Sequence, residues 1–335
     1  FYTPQEVSEL LTRLTLVGKK EVNKVYDPAC GSGSLLLKFA KILGKENVRL
    51  GFFGQEINLT TYNLCRINMF LHDIDYDKFN IALGDTLTNP FYQDHEPFEA
   101  IVSNPPYSIK WAGDSDPLLI NDPRFSPAGV LAPKSKADMA FIMHSLSWLA
   151  TNGTAAIVCF PGVMYRSGAE QKIRKYLIDN NFVDCVIQLP DNLFFNTSAP
   201  GIILVMRKVD AAHPREHAGG ILLINASAFF EKGRPKNYLT DEHIAHIAEL
   251  VLNWREEEHV SVVKTRAEVT RNDYNLSPSR YVSNNNVEPP LPLEEAIVRL
   301  REAEDTRAEA DARLDAVLAA LGFENWRDGE ADAEW

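Results

Sequence analysis

A glycine-rich turn between a short strand and a helix is the feature that most restricts how this chain can fold. The turn, Asp27-Pro28-Ala29-Cys30-Gly31-Ser32-Gly33-Ser34, follows the apolar residues 25–26 and precedes apolar residues at helical spacing. A strand, a glycine turn and a helix in this order open the nucleotide-binding crevice of α/β sheets. The turn has Gly-x-Gly without the third glycine of the dinucleotide fingerprint, so it does not imply a pyrophosphate. Asp27 at the strand end can instead bind an ammonium group.

Carboxylates end the next two predicted strands. Residues 48–56 end in Glu56, where a carboxylate is placed to bind a ribose diol. Residues 79–87 contain a third predicted strand, which ends at Asp85. The Asp85 carboxylate can accept a hydrogen bond from an adenine amino group. Each acid taken alone has a simpler interpretation as a helix cap or a solvated loop residue. The Gly-x-Gly turn, Glu56 and Asp85 on three consecutive strand ends together favour a cofactor site.

Strand and helix patterns alternate as far as residue 207, which predicts an α/β fold. From residue 219 the pattern changes to one strand, a polar segment and an amphipathic helix near 240–258. Residues 283–292 are rich in Asn and Pro, and the charged segment beyond them carries apolar residues at alternating spacings of four and three. We therefore divide the chain into three parts: a catalytic domain at 1–230, its mixed C-terminal part at 231–282, and a linker with a helical tail at 283–335. The tail packs either on a partner helix or on its own domain, and the sequence leaves both open.

The cluster Ser103-Asn104-Pro105-Pro106-Tyr107 follows an apolar run, 98–102, that is typical of a buried parallel strand. It is therefore expected at the strand's carboxyl end, where open α/β sheets bind their ligands. The prolines hold Asn104 and Pro105 in extended conformations, so the Asn104 side-chain oxygen and the Pro105 carbonyl can converge on the two N–H groups of a planar amine. Tyr107 offers a face for stacking the ring that bears this amine. A proline-stiffened turn without chemistry is the alternative for such a string taken alone.

Three other segments add to the pattern. Thr3-Pro4-Gln5-Glu6 has the form of a capping box with proline at the first helical position, which predicts a helix at the start of the chain. The irregular stretch 108–137 is long for a loop in a compact domain and is therefore expected to be functional. The aromatic pair Phe194-Phe195 lies between two predicted strands, where a loop anchored into the core is the simpler interpretation.

Composition and charge exclude several classes of protein. The chain has 335 residues, of which 45% are hydrophobic and 24% charged, and no apolar stretch reaches the length of a membrane span. Four widely spaced cysteines form no pair for zinc or redox work and are expected to be buried thiols in a reducing cytoplasm: Cys30, Cys65, Cys159 and Cys185. His243 and His246 lack a nearby third ligand, so no metal is predicted.

The net charge of -12 predicts that the chain alone binds nucleic acid weakly and that a partner supplies recognition.

Taken together, these segments resemble the modification subunit of type I restriction-modification systems, a family of adenine-N6 DNA methyltransferases. The resemblance extends from Phe1 to about Val282 and rests on these segments: Phe1-Tyr2-Thr3-Pro4, Asp27 to Gly33, Gly54-Gln55-Glu56, Gly84-Asp85-Thr86-Leu87, Asn104 to Tyr107, Lys134 to Asp138, Arg174-Lys175-x-Leu177 and Asn272 to Leu276. It implies a Rossmann-like sheet of the S-adenosylmethionine-dependent methyltransferases, with flanking helices and a C-terminal helical extension. The turn departs from the family's common Gly-Ser-Gly-Gly at Ser34. The helical domain that family members carry before the opening motif is expected to be absent here.

The resemblance also implies the composition of the site. S-adenosylmethionine would be bound by Tyr2, Thr3, Asp27, Ala29, Gly31, Ser32, Gly33, Glu56, Asp85 and Thr86. An adenine flipped out of the duplex would be held by Asn104, Pro105, Pro106 and Tyr107, with Phe194 or Phe195 as a second stacking face. The implied partners are DNA, the specificity and restriction subunits of the same system, and a second copy of this chain, in the cytoplasm and without a membrane.

The reaction implied is direct methyl transfer to N6 of adenine at a specific DNA sequence. Two enzymatic alternatives present a similar planar NH2 group: methylation of a glutamine amide in a protein and methylation of an RNA base. The opening Phe-Tyr-Thr-Pro and the long tail favour DNA over both. A third alternative is a catalytically idle scaffold that binds S-adenosylmethionine and bridges subunits, and the intact segment from Asn104 to Tyr107 speaks against it.

Overall fold

Short apolar runs of the chain form the strands of one central sheet. In this computed structural model, the described residues are 3–195, 197–210, 212, 214–283 and 293–320. Within them the sheet has nine strands: β1 Val25–Asp27, β2 Phe52–Glu56, β3 Phe79–Leu83, β4 Phe98–Ser103, β5 Leu149–Cys159, β6 Val183–Gln188, β7 Ile202–Arg207, β8 Gly220–Asn225 and β9 Ser261–Thr265. The α-helices are α1 Gln5–Thr15, α2 Ser34–Leu43, α3 Leu59–Leu71, α4 Asp138–Trp148, α5 Ala169–Asp179, α6 Asp241–Leu252, α7 Arg266–Arg271 and α8 Leu293–Ala320.

The strand order is β3-β2-β1-β4-β5-β7-β6-β8-β9. Strands β1 to β5 run parallel to one another, and β6 runs parallel to β8, whereas β7 is antiparallel to β5 and β6, and β9 is antiparallel to β8. The chain moves outward from β1 through β2 to β3 and then returns to place β4 on the other side of β1. This reversal creates the crevice at which open α/β sheets bind ligands, between the carboxyl ends of β1 and β4. The sequence-based prediction of an α/β fold is confirmed.

Helices cover both faces of the sheet because both faces of its central strands are apolar. In β1, Val25 packs with α1 and α2 on one face, while the neighbouring Tyr26 packs with α4 on the other. In β4, Ile101 and Val102 divide in the same way. Successive side chains of a strand point to opposite faces, so a continuous apolar run is what a doubly covered strand requires.

One local prediction is wrong, and two short elements were not predicted. Helix α1 begins after Pro4, and no side chain caps its first turn, so the predicted capping box at Thr3 does not form. The hydroxyl of Thr3 instead contacts Asn104, as described below. The sequence pattern also missed β9 and α7, which are short and follow a polar segment. A capping box does form at the start of α7, between Thr265 and Glu268.

The described residues up to 283 form one compact unit, and α8 belongs to a second. The predicted division at residue 230 and the role of the tail stay predictions. Most of the predicted linker, residues 284–292, lies outside the described residues, as does the end of the tail from residue 321. Within the part of α8 whose side chains are described, Leu300, Leu314 and Val317 are exposed apolar residues. No described helix is long and apolar enough to cross a membrane.

Candidate active site

A cavity of about 660 Å³ lies at the carboxyl ends of β1, β2, β3 and β4. Most of the predicted site residues line it: Thr3, Asp27, Ala29, Gly31, Ser32, Glu56, Asp85, Thr86, Asn104, Pro105, Pro106, Tyr107, Phe194 and Phe195. Gly33 lies behind this lining, and Tyr2 is outside the described residues. Among the described residues, no three His, Cys, Asp or Glu side chains are grouped to hold a metal ion.

The glycine turn owes its shape to two residues with positive φ. Gly31 has φ 53° and Gly33 has φ 84°, conformations that L side chains rarely adopt. A Cβ at Gly33 would also lie 2.8 Å from Sγ of Cys65 on α3, so only glycine lets the turn pack this closely. The Cys30 N–H donates to the Gln55 carbonyl over 3.0 Å, which fastens the turn to the end of β2. The turn thus holds the N-terminus of α2 against the cavity.

Asp27 is almost fully buried between β1 and β4. Its Oδ1 accepts from the Ala29 N–H over 3.0 Å and from the Ser103 hydroxyl over 2.8 Å. Its Oδ2 is buried without a hydrogen-bond partner among the described residues. Burial raises the pKa of Asp27 to about 7, the hydrogen bonds from Ala29 and Ser103 oppose that rise, and the negative charge of Glu56 adds to it. A buried carboxylate oxygen without a donor is the arrangement that a cationic ligand would complete.

Glu56 and Asp85 are held by backbone N–H groups beside the same cavity. Glu56 accepts from the Gly31 N–H over 3.0 Å through Oε2 and from the Asn58 N–H over 2.8 Å through Oε1. Asp85 accepts from the Leu87 N–H over 2.9 Å. These bonds fix the direction of each carboxylate and leave further lone pairs for a ligand, since each carboxylate oxygen can accept more than one hydrogen bond.

Thr86, which the resemblance assigns to cofactor binding, also makes a contact within the fold. Its side chain is buried, and its hydroxyl donates to the Pro28 carbonyl over 2.6 Å. The turn after β3 is thereby joined to the glycine turn after β1. Thr86 lines the cavity, but its hydroxyl hydrogen is occupied by this bond. Its contribution to ligand binding is therefore expected to be the alignment of the two turns.

Arg124 is a residue of this site that sequence reasoning missed. It lies on the long loop 108–137, yet its side chain is buried, and its guanidinium donates to the carbonyls of Thr86 over 2.8 Å and Leu87 over 2.7 Å. It also contacts Nδ1 of His144 at 3.2 Å, and Nε2 of that ring contacts the Tyr26 hydroxyl at 2.9 Å. Burial and the nearby Arg124 charge lower the pKa of His144 well below its usual value, which keeps the ring neutral. The loop therefore holds the turn that presents Asp85.

Asn104 follows β4 directly and points an amide into the cavity. Its Nδ2 donates to the Thr3 hydroxyl oxygen over 3.1 Å, while its Oδ1 has no hydrogen bond to a described residue. The Pro105 carbonyl is also without a backbone partner among the described residues. Two acceptors thus lie on adjacent residues at the cavity wall. The bond to Thr3 orients the Asn104 amide so that its oxygen remains available as an acceptor.

Aromatic residues, among them Tyr107, Phe194 and Phe195, form another part of the wall. The Tyr107 ring lies 6.2 Å from that of Phe160 and 6.5 Å from that of Phe194, in tilted and edge-to-face arrangements. Phe194 is 3% exposed, whereas Phe195 is 40% exposed at the cavity. Both carboxylate oxygens of Asp138 accept from the Ser108 N–H, at 3.2 and 3.1 Å, which holds the backbone after Tyr107. The structure therefore brings the predicted aromatic residues together and separates a buried Phe194 from an accessible Phe195.

Comparison of this chain with known proteins identifies its family. The family model described as N-6 DNA Methylase matches residues 1–289. The chain is 49% identical over 292 residues to the type I restriction enzyme MpnII methylase subunit of Mycoplasma pneumoniae, covering 85% of this chain and 53% of that protein. The chain spans about half the length of the curated relatives that it matches.

Two solved structures are similar to this chain. The methyltransferase subunit of a type I restriction-modification system from Streptococcus thermophilus has a TM-score of 0.78 and 38% identity, covering 84% of this chain and 59% of that one. A class I S-adenosylmethionine-dependent methyltransferase from Listeria monocytogenes, at 22% identity and a TM-score of 0.57, covers 76% of this chain and 72% of that one, and shows the fold alone. The Rossmann-like methyltransferase fold and the resemblance stated from the sequence are confirmed. The chain belongs to the N-6 DNA methylase family.

Proposed function

We propose that this chain is the methyl-transferring part of a DNA adenine-N6 methyltransferase, the modification subunit of a type I restriction-modification system. The observation that carries the proposal is the position of Asn104. Its Oδ1, which accepts no hydrogen bond from a described residue, and the Pro105 carbonyl lie in the same cavity as the three strand-end acids Asp27, Glu56 and Asp85. An acceptor pair for an amine and a row of acids for a nucleoside cofactor thus share one space.

The donor side of the cavity fits S-adenosylmethionine, which supplies an electrophilic methyl group on its sulfonium. Asp27 offers a buried Oδ2 that has no donor in the described part of the chain, which suits the cofactor's ammonium group. Glu56, already oriented by the Gly31 and Asn58 N–H groups, suits the ribose hydroxyls. Asp85 suits the adenine amino group, since its carboxylate is fixed by the Leu87 N–H.

On the target side, Asn104 and Pro105 accept the two N–H groups of the adenine N6 amine. Acceptors on both N–H groups favour a pyramidal nitrogen whose lone pair can attack the methyl group as the bond between sulfur and methyl breaks. S-adenosylhomocysteine would then leave, and the methylated nitrogen, which carries a positive charge, would release one proton to solvent, so no basic side chain is needed for the attack. The chain's task is then to position the two reacting groups. The adenine must leave the duplex to reach this cavity, and Tyr107 with Phe195 offers aromatic faces for stacking it. Phe195 suits this role better than Phe194 because Phe194 is buried in the core.

The same proposal extends to partners and location. A net charge of -12 disfavours tight binding to DNA phosphates by this chain alone. We therefore assign sequence recognition to a specificity subunit and place the chain in a cytoplasmic complex with that subunit, a restriction subunit and a second copy of itself. The exposed apolar residues of α8, such as Leu314 and Val317, favour a helical partner for this segment.

The test is methyl transfer from labelled S-adenosylmethionine to duplex DNA, RNA and protein by the complex that contains this chain. We expect label on adenine N6 of DNA only. The variant Asn104→Ala is expected to lose about a hundredfold or more in methyl-transfer rate because one of two acceptors for the amine is removed. Its affinity for S-adenosylmethionine should be unchanged. Asn80→Ala, which alters an exposed asparagine of β3, is the matched control and should retain full activity.

Each rival function predicts a different result. Label on a glutamine side chain or on RNA, and not on DNA, would show that protein or RNA is the substrate. Cofactor binding and complex assembly without transfer to any DNA would instead indicate an idle scaffold. Near-parental DNA methylation by Asn104→Ala would contradict the assignment of Asn104 even if DNA were the substrate.

A further inference from the structure

A short hairpin of residues 231–238 carries three basic side chains next to the candidate active site. Its ends are paired by two backbone hydrogen bonds, from Glu231 N–H to the Tyr238 carbonyl over 3.0 Å and from Tyr238 N–H to the Glu231 carbonyl over 3.1 Å. A Cβ at Gly233 would collide with the Lys236 carbonyl, so the turn can be this tight only with glycine there. The hairpin is therefore a defined element of the fold. We call it the basic hairpin.

The basic hairpin is tied to the loop that carries Phe195. The Asn237 N–H donates to the Asn192 carbonyl over 2.9 Å, and its Nδ2 donates to the Asp191 carbonyl over 3.0 Å. The Lys236 ammonium lies 4.5 Å from the centre of the Phe195 ring, in a cation–π contact. Because Phe195 lines the cavity, these contacts hold the hairpin at the cavity mouth.

Lys236 is fully engaged within the chain. Its ammonium also forms an ion pair with Glu6 of α1, at 3.3 Å, and both side chains are only 17% exposed. It thus links the basic hairpin and Phe195 to the helix that follows Thr3. The ion pair with Glu6 therefore attaches the basic hairpin to α1 as well as to the loop that carries Phe195.

Lys232 and Arg234 are different, because their side chains are exposed and form no ion pair or hydrogen bond with the described residues. Glu231 is the one acidic residue within the hairpin, which therefore has a net positive charge in a chain of net charge -12. Two cations with no ion pair to a described residue thus lie on a hairpin that contacts Phe195, a residue of the cavity lining, through Lys236. An anionic partner that reaches the cavity would meet them first.

We propose that Lys232 and Arg234 bind phosphates of the DNA strand beside the adenine that enters the cavity. This inference rests on the proposed function, since it takes DNA to be the substrate. When a base enters the cavity, its own backbone stays at the mouth, and the phosphates on either side must be neutralised there. Lysine and arginine are the usual phosphate contacts, and such contacts fix the position of the strand without reading its sequence. The basic hairpin thus positions the strand, while recognition of sequence is left to another subunit.

The test compares two double charge reversals in the full complex that contains this chain. Lys232→Glu with Arg234→Glu removes the proposed contacts. Lys20→Glu with Lys78→Glu makes the same change in net charge at residues that precede β1 and β3. These residues lie toward the amino ends of the strands, whereas the cavity lies at the carboxyl ends. DNA affinity is measured by fluorescence anisotropy at several salt concentrations, together with cofactor affinity and the methylation rate at saturating DNA.

We expect the hairpin variant to lose about tenfold to a hundredfold in DNA affinity near 0.1 M salt, and the plot of log affinity against log salt to become less steep by about one to two. Its cofactor affinity and its rate at saturating DNA should equal those of the parent, because the contacts act on binding. The control variant should keep the parental DNA affinity to within about twofold. A hairpin variant whose DNA affinity matches that of the control would overturn the inference.

Failure of this inference and failure of the proposed function give different results. If the parent complex transfers no methyl group to DNA, the proposed function itself fails. If the parent methylates DNA and both double variants behave alike, only the role of the basic hairpin is wrong. An equal loss of DNA affinity in both double variants would indicate a general effect of net charge and would also overturn the inference.

Discussion

The two halves of the cavity are built in different ways. In the half that we propose to hold the cofactor, called here the cofactor half, each strand-end acid accepts from the backbone N–H two residues further along: Asp27 from Ala29, Glu56 from Asn58 and Asp85 from Leu87. In the target half, Asn104 is oriented by Thr3, which is 101 positions away in the chain. The cofactor half therefore combines a local bond at each acid with bonds from distant segments, such as Ser103 to Asp27, whereas the orientation of Asn104 rests on a distant contact. Substitutions in the first should alter ligand affinity, and substitutions in the second should alter the rate of transfer.

The largest effect that separates the halves is expected from Asp27→Asn. The asparagine oxygen can still accept from Ala29 N–H and the Ser103 hydroxyl, so the connection between β1 and β4 is kept. An amide nitrogen would replace the free Oδ2 and would face the cofactor's ammonium with a donor. We expect the dissociation constant for S-adenosylmethionine to rise about a hundredfold, as for loss of a buried charge-assisted bond. Calorimetry measures it, and Ser103→Ala, which removes a donor to Oδ1 alone, should cost far less.

The same carboxyl group predicts how cofactor affinity depends on pH. The pKa of Asp27 is raised to about 7 in the folded chain by burial, so below that pH the free protein holds a proton that an ammonium ligand must displace. Affinity should therefore fall about tenfold for each pH unit below about 7 and level off above it. In the ligand-free protein the raised pKa also means that this group stabilises the fold less as pH rises from about 4 to about 7. Asp27→Asn should remove both dependences, and a parental affinity that is flat across this range would contradict the assignment.

An intermediate effect is expected from Thr3→Val, which keeps the shape of the side chain and removes the hydroxyl. The resemblance implies that Thr3 binds the cofactor, whereas the structure gives its hydroxyl a contact with Asn104. If orienting Asn104 is its main task, the rate at saturating substrates should fall about tenfold while cofactor affinity changes little. Thr3→Ser, which keeps the hydroxyl, should retain the parental rate. A loss confined to cofactor affinity would place Thr3 in the other half of the cavity.

The sequence could predict the cofactor half because its signals are local. A Gly-x-Gly turn between strand and helix, and acids at the next two strand ends, determine geometry within a few residues of themselves. The parallel sheet then brings these ends together without further information, which is why Asp27, Glu56 and Asp85 line one cavity. The segment from Asn104 to Tyr107 was identified for the same reason, since it follows an apolar strand directly.

Contacts between distant segments could not be predicted in this way. Arg124 lies in an irregular loop, and nothing beside it in the sequence indicates that its guanidinium binds the carbonyls after Asp85. The hydroxyl of Thr3 fits a helix cap by pattern, but the chain places it on Asn104, and α1 begins without it. Polar groups of this kind are paired by tertiary structure because each must find a partner once buried. The sequence specifies which groups are polar but does not indicate which pairs form.

The smallest effect is expected from Tyr107→Phe, and it tests what the aromatic wall contributes. The Tyr107 hydroxyl is buried without a hydrogen-bond partner among the described residues, and burial raises the pKa of this phenol well above its usual value. It therefore stays protonated at neutral pH, so it offers neither a base nor a charge to the reaction. If the ring acts by stacking, Tyr107→Phe should change the methylation rate by less than about twofold, while Tyr107→Ala should lose at least about tenfold, as for a stacked base. Methylation kinetics on duplex DNA distinguish the two variants. A large loss in Tyr107→Phe would instead require a bond from the hydroxyl to the substrate, and the target half would then act by hydrogen bonding at Tyr107 as it does at Asn104.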